Sequence, residues 1–343
     1  MSRIFVHGLG AVSPAGWGVT DMCDALGKNV PIPTQPQARP GWQKPLQVRS
    51  VPPPVSRPAF LAHPRLRRAG AITQFAVGAA LEALGENISS VQNGSLRLGI
   101  IVGVMAGSVN YTRRFFEEVI KEPATASPLL FPETVFNAPA SHLAAFLGSN
   151  TVSYTLVGDD GVFLQGLALA AQWLAIDKVD ICLVIGAEET DWVLADAVRV
   201  FQRDDVHGAG AGAILLKKNP DSGALAELTA VTDSFAFTQI QPRAKAAHQM
   251  RAQFPSHAQN ELLCLATKKN PRSDAAENSA WSDWPGKRLA PRAVLGEAFV
   301  AASAWQCVAA CDALRQNKSV AANVSVVGTN QQAIGARFFK MNI

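Results

Sequence analysis

The chain has 343 residues and a formal charge of +4, and it is 48% apolar but only 17% charged, where soluble chains usually carry about 25% charged residues. Ordinary Gly and Pro counts, 26 and 21, with so little charge exclude a disordered chain, a collagen and a coiled coil. The charge is too dilute for a dedicated nucleic-acid binder; a chain this long buries about three quarters of its unfolded surface, so a large core is expected, with part of the charge-poor surface covered by another chain.

Arg3–Gly8 is a β-rich run ending in Gly-Leu-Gly and reads as a buried strand entering a turn. Residues 31–58 are rich in Pro and Gln and read as an extended loop. Ala69–Leu84 has helical apolar spacing and stops at Gly85. Leu98–Val104 is a buried strand, Asn137–Leu147 a helix closed by Gly148, and Val152–Val157 a strand broken at Gly158-Asp159-Asp160-Gly161. Leu164–Ile176 is almost wholly apolar and is expected to be a helix buried on all sides. Val179–Ile185 is a strand ending at Gly186, and the Gly-rich run His207–Gly212 leads into the strand Ala213–Leu216. Beyond a polar loop near Asn219 follow the strands Ala224–Asp233 and Glu261–Ala266, the apolar helix Phe299–Leu314, and the strand Ala322–Val327 ending in Gly328-Thr329-Asn330. Alternating strands and helices predict a layered α/β fold. In each half a buried helix follows a Gly-containing turn and precedes a strand ending in Gly, which predicts two duplicated halves, 1–218 and 219–343.

The five cysteines, Cys23, Cys182, Cys264, Cys307 and Cys311, are odd in number, and three sit in apolar runs. They read as free thiols in a reducing compartment, with neither a disulfide frame nor a metal set. No long apolar run follows the N-terminus and no stretch approaches the ~20 residues of a membrane span, so the cytoplasm is the expected location.

Several motifs occur in one order. They are Val6-His7-Gly8-Leu9-Gly10-Ala11-Val12-Ser13-Pro14; Phe131-Pro132; Asn137-Ala138-Pro139-Ala140-Ser141-His142-Leu143 with Gly148; Thr155; Gly186-Ala187-Glu188; Gly208-Ala209-Gly210-Ala211-Gly212; and Gly328-Thr329-Asn330. Together they resemble the β-ketoacyl synthases of the thiolase superfamily over most of the chain. The resemblance implies an αβαβα layered fold, and chemistry that needs a Cys nucleophile at a helix N-terminus, two His residues and a supporting Lys.

None of the four is present. Counting without gaps back from Glu188 and forward from Asn137 places the nucleophile at Asp160. The first His position is Ala266, with Asp274 and Glu277 following in the family's Asp-x-x-Glu step; the second is Glu297, and the Lys position is Arg292. The family's gating Phe is lost in Ser325-Val326-Val327-Gly328-Thr329. Only 19 residues separate Glu188 from Gly208, where active members carry a longer segment. No catalytic residue and no cofactor is therefore expected.

The resemblance implies a dead partner of the chain-length-factor type, as in aromatic polyketide and aryl polyene systems. Such a subunit pairs with an active ketosynthase through Ser153–Val157 and projects side chains into its acyl tunnel; Leu130 is the first candidate, then Met105 and Phe136, against the reading of all three as ordinary core residues. Arg65, Arg67 and Arg68 fit docking of an acidic acyl carrier protein, or simply a solvated helix entrance. One alternative is a repurposed enzyme with Asp160 and Glu297 as an acid–base pair, set against Asp160 capping the buried helix and Glu297 bonding Arg292 or backbone N–H groups. Another is a homodimeric acyl-binding scaffold.

Overall fold

A computed structural model describes residues 3–148, 151–238, 240–254 and 260–341. The main elements in chain order are β1 (Ile4–Ser13), α1 (Val19–Lys28), α2 (Ala71–Leu84), β2 (Leu98–Val104), α3 (Val109–Lys121), α4 (Ala138–Leu147), β3 (Val152–Val157), α5 (Val162–Ala175), β4 (Ile181–Glu188), α6 (Trp192–Arg199) and β5 (Gly210–Lys217). There follow β6 (Ala226–Val231), α7 (Arg243–Ala252), β7 (Glu261–Cys264), α8 (Pro271–Ala280), β8 (Lys287–Leu289), α9 (Pro291–Leu295), α10 (Phe299–Arg315), β9 (Ala321–Val327) and β10 (Gln332–Lys340).

The strands form one path, β8-β7-β9-β10-β6-β1-β5-β4-β2-β3, in which β1 and β6 join two sets by an antiparallel pairing over Ile4–Val6. Taken outward from that join, each set runs first, fifth, fourth, second, third in its own chain order. The senses match as well: β4–β2–β3 and β9–β7–β8 are parallel, while β5 and β10 run antiparallel to both of their main-path neighbours. The largest apolar cluster holds α5 and α10 between strands of both sets. Helices α2 and α4 cover the outer face of the first set, and α7 and α8 that of the second. This is the five-layer αβαβα arrangement expected from the motifs.

Several local expectations change. Strand β1 runs on through Gly8 and Gly10 to Ser13. Its glycines are there because α2 lies on the strand: a Cβ on Gly8 or Gly10 would come within 1.8 or 1.9 Å of the Ala83 or Ala79 carbonyl oxygen. The glycine run expected as a lead-in is itself strand, at His207–Gly208 and Gly210–Lys217. The 31–58 loop contains two short strands, Gln35–Gln37 and Leu46–Arg49, the second paired to His207–Gly208.

The two apolar helices also differ. Helix α10 is buried at every residue from Phe299 to Asp312, and Trp305 satisfies its N–H with the carbonyls of Val12 and Ala211 at 3.1 and 3.0 Å. Helix α5 is not buried all round: Gln172 and Ala175 are exposed, and Ala168, Leu169 and Ala171 half-buried, because it lies under the end of the path, beneath β3. No helix among the described residues is long and apolar enough to cross a membrane.

Candidate functional site

The turn after β3 meets the segment before α10 at the junction of the two strand sets. Asp159 and Asp160 are both buried there, just ahead of α5. Helix α5 has no side-chain cap, so Asp160 does not serve as one. Asp159 accepts the Gly161 N–H at 3.2 Å and reaches across to β10, accepting from the N–H groups of Gln331 and Gln332 at 3.0 and 3.3 Å and from Gln332 Nε2 at 3.0 Å. Gly328 makes room for it: a Cβ there would lie 2.2 Å from Asp159 Oδ2.

Asp160 turns the other way. Arg292 Nη1 on α9 donates to Asp160 Oδ2 at 2.5 Å, and Thr329 Oγ1 lies 3.3 Å from the same oxygen. That Nη1 is also 3.1 and 3.0 Å from the two carboxylate oxygens of Glu297, while Nη2 donates to Ser303 Oγ at 3.0 Å. Glu297 accepts the Phe299 N–H at 2.8 Å and pairs with Lys268, whose Nζ also reaches Asp205 at 2.6 Å and Gln202 at 3.2 Å. Asp160, Arg292, Glu297, Lys268 and Asp205 thus alternate in sign along one buried chain. Buried charges are tolerated when each is paired and hydrogen-bonded, and alternation supplies that condition.

Burial raises the Asp160 carboxyl above the usual aspartate range; Arg292 opposes this, but nearby Glu297 and Asp159 reinforce it. Burial pushes Glu297 the same way, yet Arg292 and Lys268 overturn it and hold this carboxyl at about 2. The backbone fixes Glu297 as well. Its N–H donates to Val206 O and its carbonyl accepts from Gly208 N–H, both at 2.8 Å. The intervening His207 is buried with its ring 5.5 Å from that of Phe299, and burial lowers its pKa.

Ala266 is buried and presents a methyl group. The Asp-x-x-Glu step that follows holds its loop: Asp274 accepts the N–H groups of Lys268 and Asn270 at 3.1 and 2.9 Å. Glu277 accepts the Ser325 hydroxyl at 2.5 Å and the Ala266 N–H, and burial pushes its carboxyl to about 7. No thiol compensates. Burial raises all five cysteines, Cys264 to about 12, so none is a thiolate at neutral pH. A cavity of about 410 Å³ opens beside the chain, lined by Arg49, Asp205, Lys268, Arg292 and Glu297 among others, but not by Asp160 or Ala266.

No family model and no curated protein matches the chain. Solved structures do. The ishigamide ketosynthase/chain length factor matches at TM-score 0.82 and 18% identity, over 99% of this chain and 100% of that one. The AntDE:AntF complex, a type II polyketide synthase acyl-carrier protein with its ketosynthase bound to the hexaketide, matches at 0.81 and 17%, over 99% of both chains. A β-ketoacyl synthase from Burkholderia phymatum STM815 matches at 0.81 and 16%, over the whole of both. This is the ketosynthase fold.

In the ketosynthase frame, Asp160, Arg292 and Glu297 come together as the spacing requires, and Ala266 lies at the head of the loop that delivers Lys268. The sequence reading passed over Lys268 and Asp205 as members of the site. The available signal was the Lys268–Lys269 pair two residues after Ala266, in a chain otherwise short of charge. Arg65, Arg67 and Arg68 all point to solvent around the fully buried Leu66, before α2. Leu130 and Met105 are half-buried, and Phe136 is exposed, packed against Gly107. Leu130 sits in a bare apolar ridge in which Leu129 is 78% exposed and the ring of Phe131 stacks 5.6 Å from that of Phe115. Helix α3 beside it buries no residue and exposes Phe116 and Ile120.

Proposed function

We propose that the chain is a non-condensing, ketosynthase-like subunit of the chain-length-factor type. It pairs with an active ketosynthase and helps to shape that partner's acyl tunnel in polyketide or fatty-acid-type biosynthesis, such as an aryl polyene pathway. The observation that carries this reading is the ionic chain from Asp160 to Asp205. It fills with paired charges the places where the resemblance puts a thiol, one imidazole and an amine, the other imidazole position being the methyl of Ala266, and a carboxylate held by Arg292 cannot carry an acyl group as a thiolate does.

The partner-facing surface is the free edge of β3 with Tyr154 and Val157 about half exposed, together with the ridge around Leu130. From that ridge Leu130, and with it Phe136 and Met105, would reach the partner's tunnel. Arg65, Arg67 and Arg68 would steer the acidic carrier protein. Two of the similar structures are described as a ketosynthase/chain length factor and as a carrier protein with its ketosynthase, which supports both partners. We place the boundary between the two halves at 218/219, in the connection from β5 to β6, and the protein in the cytoplasm, where its thiols stay reduced.

The test is co-expression with an active ketosynthase carrying the only affinity tag. The expected result is a complex whose mass equals one copy of each chain; failure to co-purify overturns the proposal, and a mass of two copies of this chain in the unbound fraction then points to a homodimeric scaffold. The opposite displacement of the Asp160 and Glu297 carboxyls favours a second reading, the acid–base pair. Asp160→Asn with Glu297→Gln separates the two. Product formation persists if the subunit is structural, and collapses with the complex intact if the carboxyls do chemistry.

A further inference from the structure

A second cavity, of about 460 Å³, lies at the β8 end of the strand path, away from the β3 edge. Its floor is apolar: Leu26 of α1, Leu262 of β7, Leu289 of β8, and Ala309 and Ala313 of α10, with Cys23 beside them. Its rim is cationic. Lys287 and Lys318 are exposed and have no ion-pair partner among the described residues. Arg288 is also on the rim, with its guanidinium donating to the carbonyls of Trp281 and Trp284 at 2.6 and 3.4 Å. The one carboxylate in the lining, Asp312, is already satisfied by Arg315 at 2.6 Å and Gln316 at 2.6 Å. The groove therefore presents apolar wall and free positive charge, with no free anion to compete.

We propose that this groove binds a medium-chain acyl carboxylate, with the chain along Leu26, Leu262 and Leu289 and the carboxylate between Lys287 and Lys318. The cavity falls within the size of ordinary small-molecule sites, roughly 300–1,000 Å³, whose apolar lining supplies affinity while a few polar groups fix orientation. Two free ammonium groups over an apolar floor match an anion on an apolar tail. A neutral chain of the same length would satisfy only the floor, and a cationic one would be repelled at the rim. The site is separate from the Arg292 centre and does not depend on pairing with a ketosynthase.

Cys23 reports on occupancy. It is the only half-exposed cysteine, the other four being buried. Burial and the adjacent Asp312 raise its thiol pKa, so it reacts slowly with a small neutral thiol reagent under alkaline conditions, at a rate an occupant would reduce. The purified full chain is treated with methyl methanethiosulfonate in the presence of decanoate, decan-1-ol or decyltrimethylammonium, each below its micelle threshold, and single adducts are counted by intact mass. Decanoate is expected to protect Cys23 about tenfold better than the other two, and Lys287→Glu with Lys318→Glu to weaken its half-protection concentration by about tenfold. Lys121→Glu, on α3, leaves that concentration unchanged. Equal protection by decan-1-ol, no protection by decanoate, or an unmoved midpoint in the double variant overturns the proposal. Should the double variant melt early, the comparison of the three ligands on the unaltered chain decides.

Discussion

The two outer ends of the strand path differ although the two strand sets share one order. Strand β8 is three residues long, two of them basic, Lys287 and Arg288. Strand β3 is six residues long, Val-Ser-Tyr-Thr-Leu-Val, with no charge. Natural sheets discourage pairing at an edge by making it short and by placing lysines on it; β8 has both devices and β3 neither. The crossover helices follow the same division. Helix α10 spends its apolar residues on the interior, while α5 leaves a flank half-covered beneath β3. The apolar surplus of this charge-poor chain therefore lies in two places, a fully enclosed centre and an open face on the first set, and only the second is open to a partner of the kind proposed.

The junction between the sets is where the comparison breaks most severely. Arg292 holds a carboxylate from each, Asp160 and Glu297, and is itself buried. Arg292→Met leaves both anions with less compensation and is expected to cost about 3–5 kcal/mol, read by urea denaturation of the chain alone. Arg97→Met removes an exposed pair with Asp180 and is expected to cost under about 1 kcal/mol. If the two variants unfold at the same urea concentration, the junction does not hold the sets together.

Next in size is the edge itself. Tyr154→Lys with Val157→Lys gives β3 the charge that β8 already has. Binding of the co-expressed ketosynthase is expected to fall about a hundredfold, while the stability of the single chain stays within about 0.5 kcal/mol. Lys287→Glu, at the other end, leaves binding unchanged. Loss of pairing from the β8 change, or none from the β3 change, would reverse the assignment of the open edge.

The layered fold was legible because its signals are local and periodic. Apolar runs marked α2, β2 and β3 to within two residues, while β4 starts two residues later than expected and runs on through Gly186 to Glu188. Two of the elements that went unread lack such marks: α7 and α8 are polar helices held by a small cluster around Trp281. Helix α3 does carry an apolar stripe at helical spacing, Phe115, Phe116, Val119 and Ile120, but no glycine closes it and it buries no residue. The course of β1 through Gly8 and Gly10 needed knowledge of what lies across from it, since only the approach of α2 explains two glycines inside a strand. At the centre, the motif positions of the resemblance pointed to Asp160, Arg292 and Glu297, and these three side chains meet. Lys268 and Asp205 escaped because they are brought in by tertiary contact from a loop and from the shortened segment after Glu188, and nothing near them in the sequence says that they pair.

The smallest expected effect comes from two buried glutamates displaced in opposite directions. Glu188, at the end of β4, accepts the Met105 and Ala106 N–H groups, yet burial outweighs these and pushes its carboxyl to about 8. An unfolded glutamate titrates near about 4.3. Between that value and about 8 the folded chain keeps a proton that the unfolded chain has lost, so stability falls as pH rises through this window and levels off above it. Glu297, held at about 2, does the reverse: its contribution is complete above the unfolded value and is lost as pH falls toward about 2. Around neutrality only Glu188 of this pair titrates, so Glu188→Gln should flatten the decline in stability from about pH 6 to about pH 7, by no more than about 1.4 kcal/mol over that single unit. Glu297→Gln should leave this slope alone and remove loss on the acid side instead. Denaturation curves of the three proteins at matched ionic strength read the difference, and an unchanged neutral slope in Glu188→Gln would mean that this carboxylate stays ionised in the fold.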